Sequence, residues 1–204
     1  MADHGIPLRE ADAHPDPLRQ FESWFTDAGG AGVREPEAVA VATASSLGMP
    51  SLRMVLCKSF DERGFVFFTN YKSRKGRELT ANPRAAMLFH WDPLGRQVRI
   101  EGTVEQLSPD ESAAYAQSRP RGSQLSALAS PQSQTVAGRE ELERSVAQLD
   151  ERYPGDQLPV PPHWGGFRVV PETFEFWQQR SDRLHDRLHY RHGEAGWVIE
   201  RLAP

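Results

Sequence analysis

The stretch RQVRIEGTVEQL, residues 96–107, has the clearest alternation of apolar and polar side chains in the chain. One side carries Val98, Ile100, Gly102 and Val104, and the other carries Arg99, Glu101, Thr103 and Glu105. Successive side chains point to opposite faces of a strand, so this pattern predicts a strand with one buried face and one exposed face.

Other β-rich stretches lie on both sides of this strand. Short strands are predicted at residues 38–45, 51–58, 64–70 and 85–91 before it, and at 166–179, 183–190 and 196–204 after it. Short connections between the first five strands favour an antiparallel sheet that closes into a barrel. Flanking helices are predicted at 16–28, from about Ser73 onwards, at 108–118 and at 138–152. The predicted fold class is α+β, mainly β, with a flexible arm at residues 1–15 and a single domain at 16–204.

Composition excludes some classes of partner. The chain has 204 residues, a formal net charge of −4 and a pI of about 6.0. These values do not favour a nucleic-acid or membrane partner, so any basic site must be local. The single cysteine, Cys57, excludes an internal disulfide and fits a reducing compartment. The sequence contains neither the roughly 18 apolar residues of a membrane span nor a signal-peptide core, so we expect a cytoplasmic protein.

Residues 181–190, SDRLHDRLHY, concentrate cationic side chains and allow two functional interpretations. HDRLH at 185–189 differs from the helical zinc motif H-E-x-x-H only in its Asp, which would suit a zinc hydrolase using His185 and His189. On a strand, Arg183, His185, Arg187 and His189 would instead share one face and form a wall for an anionic ligand. A third interpretation is a polar edge strand whose side chains are solvated and have no functional role. Turn-forming residues on both sides favour the strand.

Cations recur at predicted strand ends and helix starts. Arg53 and Lys58 flank one strand, and because they are five residues apart they would face opposite sides of it. Ser73-Arg74-Lys75 opens a helix, where free backbone N–H groups and two cations suit a phosphate. The sequence has no G-x-G-x-x-G, P-loop or G-x-S-x-G motif.

Weaker candidates lie elsewhere. Tyr115, Arg119 and Ser123 are near one helix end, and their hydroxyl and guanidinium groups together suit a phosphate dianion. Candidate contacts to a ring are Gln97, Gln132, Ser133 and Trp177. Taken singly, features of these kinds are more often solvated termini or core aromatics.

Read together, several strings resemble the pyridoxamine 5′-phosphate oxidase family in order and spacing. They are RMVLCK, FFTNYKSRKG, RQVRIEG, SRPRGSQ, SPQSQ, WGGFRV, EFWQ and RLHDR. The resemblance covers about residue 16 to the C-terminal RLAP. It implies an FMN-binding split β-barrel that is a homodimer with FMN at the subunit interface.

The resemblance also implies roles for matching residues. FMN contacts are implied for Arg53, Met54, Val55, Leu56, Cys57, Lys58, Phe68, Thr69, Arg74, Lys75, Gln97, Gln132, Ser133, Trp177 and Arg187. Arg74 and Lys75 would bind the FMN phosphate. Binding of the substrate phosphate is implied for Lys58, Tyr115, Arg119 and Ser123. Arg183 and His185 are the implied catalytic pair over the substrate ring. Because the site spans an interface, some of these residues would come from the second subunit.

The implied reaction converts pyridoxamine or pyridoxine 5′-phosphate to pyridoxal 5′-phosphate. FMN accepts a hydride, and O2 reoxidises it to give H2O2. The substrate phosphate serves as an anchor that holds the reacting carbon over the flavin. One alternative is a phenazine-biosynthesis flavin oxidase, which resembles the chain in EFW and R-L-H-x-R but departs in the phosphate-binding helix. A non-catalytic flavin or pyridoxal-phosphate carrier is another, although Arg183 and His185 argue against it. The zinc hydrolase ranks lowest.

The N-terminal sequence departs from the family's pattern. Longer members of the family have an Arg-x-x-Tyr segment that closes over the substrate, whereas HGIPLREADAHPDP matches only the downstream part of that segment. We therefore expect either weaker closure over the substrate or closure by another group, with an effect on affinity and substrate range.

Overall fold

The computed structural model describes residues 7–155 and 158–204. Its helices are α1 (Pro17–Gly30), α2 (Arg74–Ala81), α3 (Pro109–Ser118), α4 (Arg121–Ala129) and α5 (Arg139–Arg152), with 3-10 turns at Asp92–Leu94 and Ser181–Arg183. Its strands are β1 (Ala38–Ala44), β2 (Pro50–Leu56), β3 (Ser59–Asp61), β4 (Gly64–Asn70), β5 (Arg84–Trp91), β6 (Arg96–Gln106), β7 (Trp164–Gln178), β8 (Asp186–Gly193) and β9 (Gly196–Arg201).

Within the described residues, the strands form one antiparallel sheet of nine strands. The hydrogen-bonded order is β2-β1-β5-β6-β7-β4-β3, and β8 and β9 extend from β7. The sheet curves into a half-barrel, and at its open side the Lys58 N–H donates to the Val66 carbonyl oxygen of β4 at 2.8 Å. The predicted fold class and split-barrel architecture are confirmed.

Strand β6 lies between β5 and β7, and the apolar side of its alternating sequence is buried, as predicted. Val98, Ile100 and Val104 are buried. The register with β7 shifts between Glu101 and Gly102. A Cβ at Gly102 would lie 1.9 Å from the Val170 carbonyl oxygen, so only glycine allows β6 and β7 to approach so closely at this bulge.

Aromatic side chains fill the concave side of the sheet. The ring of Phe21 in α1 contacts Phe60, Phe65 and Phe89, with a centroid distance of 4.9 Å in each case. Trp24, one turn further along α1, packs edge-on against Phe176 at 5.2 Å. Helix α1 therefore closes the barrel core with the same apolar face that its sequence spacing predicted.

Short-range sequence signals fix three helix starts. Asp16 caps α1 through its carboxylate, and Ser73 caps α2 through its hydroxyl. Ser108 and Glu111 form a reciprocal capping box at α3. Strand β3 and helix α4 were not predicted. Helix α4 buries only Leu125, so it has no apolar stripe from which it could be recognised.

The predicted strand at 183–190 is wrong at its start. Asp182 and Arg183 adopt left-handed backbone conformations, with φ of 55° and 61°, which interrupt an extended strand. Strand β8 begins only at Asp186, so Arg183 and His185 precede it and do not share a strand face with Arg187. Strand β2 likewise ends at Leu56, two residues before the predicted end.

Part of the predicted flexible arm contacts the folded domain. Leu8 is buried, and its N–H donates to Asp186 Oδ2 at 3.1 Å. Arg201 of β9 donates to the Leu8 carbonyl oxygen at 2.8 Å and to the Glu10 carboxylate. Residues 7–15 thus lie against β8 and β9, whereas the rest of the predicted arm, residues 1–6, lies outside the described residues.

Candidate active site

A cavity of about 290 Å³ opens beside β2, β4 and α3. Its lining consists of Met54, Val55, Leu56, Lys58, Phe68, Thr69, Lys75, Tyr115, Arg119, Gln132 and Trp164. Apart from Trp164, all of these residues were predicted to bind cofactor or substrate. The fold therefore brings together residues that lie up to about a hundred positions apart in the sequence.

A second cavity, of about 500 Å³, adjoins the first. Its lining consists of Pro50, Ser51, Leu52, Arg53, Met54, Arg74, Lys75, Gln132 and Ser133. Met54, Lys75 and Gln132 line both cavities, so we treat the two as one site and call it the β2–α2 cleft.

The first turn of α2 contributes the cationic end of the cleft. Lys75 Nζ donates to Thr69 Oγ1 at 3.0 Å and to Gln132 Oε1 at 3.3 Å. Thr69 Oγ1 also donates to Gln132 Oε1 at 3.0 Å. These bonds hold the loop that carries Gln132 and Ser133 over the N-terminus of α2, where free backbone N–H groups favour an anion.

A carboxylate fixes two arginines beside this helix start. Arg74 Nε lies 2.9 Å from Glu78 Oε1, and Arg53 Nη2 lies 3.5 Å from Glu78 Oε2. Burial of Glu78 opposes its charge, but hydrogen bonds from Ser51, Thr43 and Arg74 outweigh burial and lower the pKa of Glu78 to about 2. Glu78 is therefore ionised at any physiological pH, and it holds both guanidinium groups at the cavity wall.

Three other cations of the cleft have no such partner. Among the described residues, no carboxylate lies within ion-pair distance of Lys58, Lys75 or Arg119. Burial lowers the pKa of Lys75, and the neighbouring Arg53 lowers it further. Burial also lowers the pKa of Arg119. A cluster of unneutralised cations, of which Lys75 and Arg119 are partly buried and Lys58 is exposed, is the expected preparation for an anionic ligand.

Aromatic rings form the opposite wall. Phe68 stacks on Tyr115 with the ring centroids 3.8 Å apart, and the Trp164 ring lies beside this pair, 5.6 Å from the Phe68 ring and nearly parallel to it. Burial raises the pKa of Tyr115, so its hydroxyl keeps its proton as a hydrogen-bond donor. The cleft thus combines flat apolar surfaces with cations, as a phosphorylated aromatic ring would require.

Other predicted site residues lie together at the opposite end of β7. Gln97 of β6 pairs with Trp177 of β7, which pairs with Arg187 of β8. The His185 ring lies 4.5 Å from the Trp177 ring. Arg187 Nε donates to Glu175 Oε1 at 2.8 Å, and this hydrogen bond raises the pKa of Arg187. We call this group the β6–β8 cluster.

The turn before β8 sets the position of the predicted catalytic pair. The Arg180 N–H donates to His185 Nδ1 at 3.1 Å, so in the neutral ring Nε2 carries the proton. Arg183 is exposed and has the left-handed backbone described above. Such conformations are costly for non-glycine residues and are concentrated at functional sites.

Two further predicted site residues belong neither to the cleft nor to the β6–β8 cluster. Cys57 points into the core, where its Sγ–H donates to the Ser59 carbonyl oxygen at 3.4 Å and burial raises the pKa of its thiol to about 12. Ser123 lies in the first turn of α4, beside the Arg119–Pro120 corner. Trp164, which does line the cleft, had been assigned no role. As an aromatic residue before Gly165-Gly166 it gave no signal that distinguished it from a core residue.

The structure does not support the zinc interpretation. His185 lies in a turn and His189 lies in β8, so the helical spacing of H-E-x-x-H is absent. Within residues 7–155 and 158–204, no group of three or more His, Cys, Asp or Glu side chains could hold a metal ion.

The β2–α2 cleft fits FMN. The dianionic phosphate would face Arg53, Arg74 and Lys75, while Glu78 offsets one of these positive charges and leaves two to balance the phosphate. A split barrel with such a cleft defines an FMN-dependent oxidoreductase.

The chain belongs to the pyridoxine/pyridoxamine 5′-phosphate oxidase family. Residues 25–153 match the family described as pyridoxamine 5′-phosphate oxidase, and residues 164–204 match the pyridoxine 5′-phosphate oxidase C-terminal dimerisation region. The pyridoxine/pyridoxamine 5′-phosphate oxidase of Rubrobacter xylanophilus is 57% identical over 97% of this chain and 91% of its own length. That of Burkholderia multivorans is 56% identical over 97% and 93%.

Solved structures show the same fold. PhzG from Burkholderia lata, in complex with tetrahydrophenazine-1-carboxylic acid, superposes with a TM-score of 0.92 at 36% identity, and 100% of both chains is covered. A pyridoxamine 5′-phosphate oxidase-related, FMN binding protein from Nostoc punctiforme superposes with a TM-score of 0.71 at 19% identity, covering 93% of this chain and 98% of that one. Among the described residues, no helix has the length and apolar character needed to cross a membrane.

Proposed function

We propose that this protein oxidises pyridoxine 5′-phosphate or pyridoxamine 5′-phosphate to pyridoxal 5′-phosphate, with O2 reduced to H2O2. The observation that carries the proposal is the pair of unneutralised cations Lys58 and Arg119, together with Tyr115, in an aromatic-walled cavity that adjoins the FMN phosphate position. The names of the curated relatives support the same substrate class.

The two ends of the cleft would hold two different phosphates. Arg53 and Arg74 face the part that suits the cofactor phosphate, whereas Lys58, Tyr115 and Arg119 face the other part. The substrate phosphate would accept hydrogen bonds from the Tyr115 hydroxyl and the Arg119 guanidinium. Anchored in this way, the substrate ring would be held in one orientation before reaction, which supplies proximity rather than acid–base catalysis.

A second copy of the chain would complete the site. The β2–α2 cleft and the β6–β8 cluster lie at opposite ends of β7, which runs from Trp164 to Gln178 and would span about 45–50 Å if fully extended. One chain therefore does not bring the two groups together. We infer a homodimer in which the β6–β8 cluster of one copy faces the cleft of the other, consistent with the dimerisation region at residues 164–204.

An exposed apolar surface at the cleft supports this dimer. Leu47, Met49, Leu52 and Met54 are 90%, 64%, 68% and 63% exposed. Leu52 and Met54 also line the cleft. Exposed apolar side chains of this kind are typical of a contact surface, and their position at the rim of the site supports a second copy as the occupant.

In this dimer, Arg183 and His185 of one copy would lie over the substrate bound to the other. FMN, when bound, supplies the two-electron acceptor that O2 reoxidises. The Nε2–H of His185 is free to donate, because its Nδ1 already accepts from Arg180. Arg183 contributes a positive charge without a carboxylate partner among the described residues, and so could stabilise negative charge on the substrate.

The structural similarity to PhzG favours one second candidate function. That protein was solved with an unphosphorylated tricyclic acid, and its fold matches along the whole chain. An oxidase of a reduced phenazine acid would need a wide apolar site but no cations for a phosphate. Lys58, Tyr115 and Arg119 therefore favour the phosphorylated substrate.

A side-by-side assay of the purified protein tests the proposal. The protein should be yellow and should release FMN on denaturation. Peroxide formation should be faster with pyridoxine 5′-phosphate or pyridoxamine 5′-phosphate than with a reduced phenazine carboxylic acid, and pyridoxal 5′-phosphate should accumulate in equal amount. Higher activity on the phenazine acid would establish the second candidate, and a protein that takes up no FMN would contradict both.

A further inference from the structure

Arg119 is oriented by an aromatic ring and not by a carboxylate. Its guanidinium carbon lies 4.8 Å from the centroid of the Trp164 ring, which is within the range of a cation–π contact. No described carboxylate lies within ion-pair distance of Arg119. We propose that Trp164 is a positioning residue that holds Arg119 ready for the phosphate of the substrate. This inference rests on the proposed function.

The kind of partner matters for a residue that must bind a dianion. Arg53 and Arg74 are held by Glu78, whose negative charge offsets part of theirs. An aromatic ring holds a guanidinium by its quadrupole and carries no net charge. Arg119 thus keeps its full positive charge for the substrate phosphate while losing much of the conformational freedom of a long side chain.

Trp164 is itself firmly placed. It is 9% exposed, and its backbone pairs with Asn70 at the first position of β7. Its ring lies beside the stacked pair of Phe68 and Tyr115, nearly parallel to both rings, with a distance of 6.2 Å between the Trp164 and Tyr115 centroids. Tyr115 is the other proposed phosphate ligand on α3, so one cluster of three aromatic rings sets the positions of both ligands.

The glycine after Trp164 explains why this edge of the site is so closely packed. A Cβ at Gly165 would lie 2.1 Å from the Tyr71 hydroxyl oxygen and 2.7 Å from Ser112 Oγ. Chain packing therefore brings the start of β7 directly against α3, which carries Tyr115 and ends beside Arg119. The ring of Trp164 reaches Arg119 because no side chain at position 165 separates the two elements.

A double-mutant cycle in the FMN-loaded protein tests the inference. We expect Trp164→Leu to raise KM for pyridoxine 5′-phosphate by roughly 3–30-fold, the range of a partly desolvated cation–π contact, with kcat changed by less than about twofold. The inhibition constant of inorganic phosphate, used as a competing anion, should rise in parallel. Trp164→Phe retains an aromatic face and should recover most of the loss. FMN affinity should stay unchanged in both variants.

The Arg119→Ala background separates positioning from a general structural role. If Trp164 acts through Arg119, Trp164→Leu should raise KM in the parent protein but hardly at all in the Arg119→Ala protein. Equal increases in both backgrounds, or none in the parent protein, would overturn the inference. If Trp164→Leu fails to load FMN, Trp164→Met in the same two backgrounds decides, because the Met side chain fills much of the space without offering an aromatic face to the guanidinium.

A control variant, and the effect of Arg119→Ala by itself, complete the design. Trp24→Leu is the matched control: Trp24 is 4% exposed and carries Arg96 over its ring at 4.5 Å, but it lies in α1, outside the cleft. This variant should lower thermal stability without raising KM. Should Arg119→Ala itself leave KM unchanged, the phosphate site of the proposed function would be wrong. A rise in KM for Arg119→Ala without a change for Trp164→Leu would refute only the role of Trp164.

Discussion

Cationic side chains in this protein differ in whether a carboxylate neutralises them. Arg53 and Arg74 share Glu78, whereas Lys58 and Arg119 face the cleft with no carboxylate partner among the described residues. The difference follows from the ligand each group would meet. The cofactor stays bound and needs a fixed, balanced site, whereas the substrate phosphate must be attracted at each turnover.

Arg183 is the residue for which the site makes the sharpest kinetic prediction. We expect Arg183→Ala to lower kcat on the order of 10²-fold or more, because the charge proposed to act on the reacting substrate is lost. FMN affinity should change by less than about twofold, since the proposed FMN phosphate ligands lie in the cleft. Stopped-flow reduction of the flavin and fluorescence titration with FMN measure the two effects separately.

Arg191 provides the control for this substitution. It is an exposed arginine of β8 that pairs with Glu200, away from the β6–β8 cluster. Arg191→Ala should leave kcat unchanged. Parallel losses of turnover and FMN affinity in Arg183→Ala would instead assign Arg183 to the cofactor.

Residue identities predicted the cleft better than they predicted the turn before β8. Lys58, Tyr115 and Arg119 were assigned to the site by the family resemblance, since taken singly such residues are more often solvated termini. The positions of Arg183 and His185 depend on left-handed φ angles at Asp182 and Arg183, and arginine is not a residue type that signals such an angle. Trp164 was missed because a buried tryptophan is usually explained by packing alone.

At the scale of elements, β6 and β7 organise the molecule. Strand β7 pairs with β4 through its first half and with β6 along most of its length, and β8 extends from its second half. The bulge at Gly102 bends this pair and allows one long strand to serve both the cleft and the β6–β8 cluster. Alternation along β6 predicted its buried face, whereas the bulge requires a close backbone contact that the sequence does not reveal.

Substitution of Gly102 should destabilise this bend. We expect Gly102→Ala to lower the free energy of unfolding by about 1–3 kcal/mol, because the new methyl group would collide with the Val170 carbonyl oxygen of a fixed strand. Chemical denaturation of the FMN-loaded protein measures the change. Gly122→Ala is the control: nothing lies within 4 Å of its added Cβ in α4, so it should be neutral or stabilising by up to about 1 kcal/mol. Equal stability of the two variants would contradict the proposed strain at β6.

At the scale of the whole molecule, the central structural expectation is that each active site takes residues from two copies. The order of the strands explains why a single chain is insufficient, because β7 places the two groups of site residues at its opposite ends. The sequence resemblance implied that the site is divided between two subunits, but it did not indicate which of the site residues come from the same subunit. The paired register of Gln97, Trp177 and Arg187 across three strands now groups them.

Subunit complementation tests this division. Arg119→Ala removes a residue of the β2–α2 cleft, and Arg183→Ala removes a residue of the turn beside the β6–β8 cluster. Each variant alone should therefore have little activity at low substrate concentration. After subunit exchange of an equal mixture, about half of the dimers would be mixed, and each mixed dimer would contain one site with both arginines. Activity should therefore recover to about a quarter of that of the parent protein. No recovery, despite exchange shown by native mass spectrometry, would place both residues in a site built from one chain.

The proposed function depends most directly on recognition of the substrate phosphate. The decisive measurement is kcat/KM for pyridoxine 5′-phosphate relative to unphosphorylated pyridoxine, with peroxide formation as the readout. Lys58, Tyr115 and Arg119 should together make the ratio on the order of 10³ or greater, since each charged hydrogen bond to the phosphate contributes about 1.5–3 kcal/mol. The ratio should fall by at least about tenfold in Arg119→Ala. Equal kcat/KM values for the two substrates would contradict the proposed function.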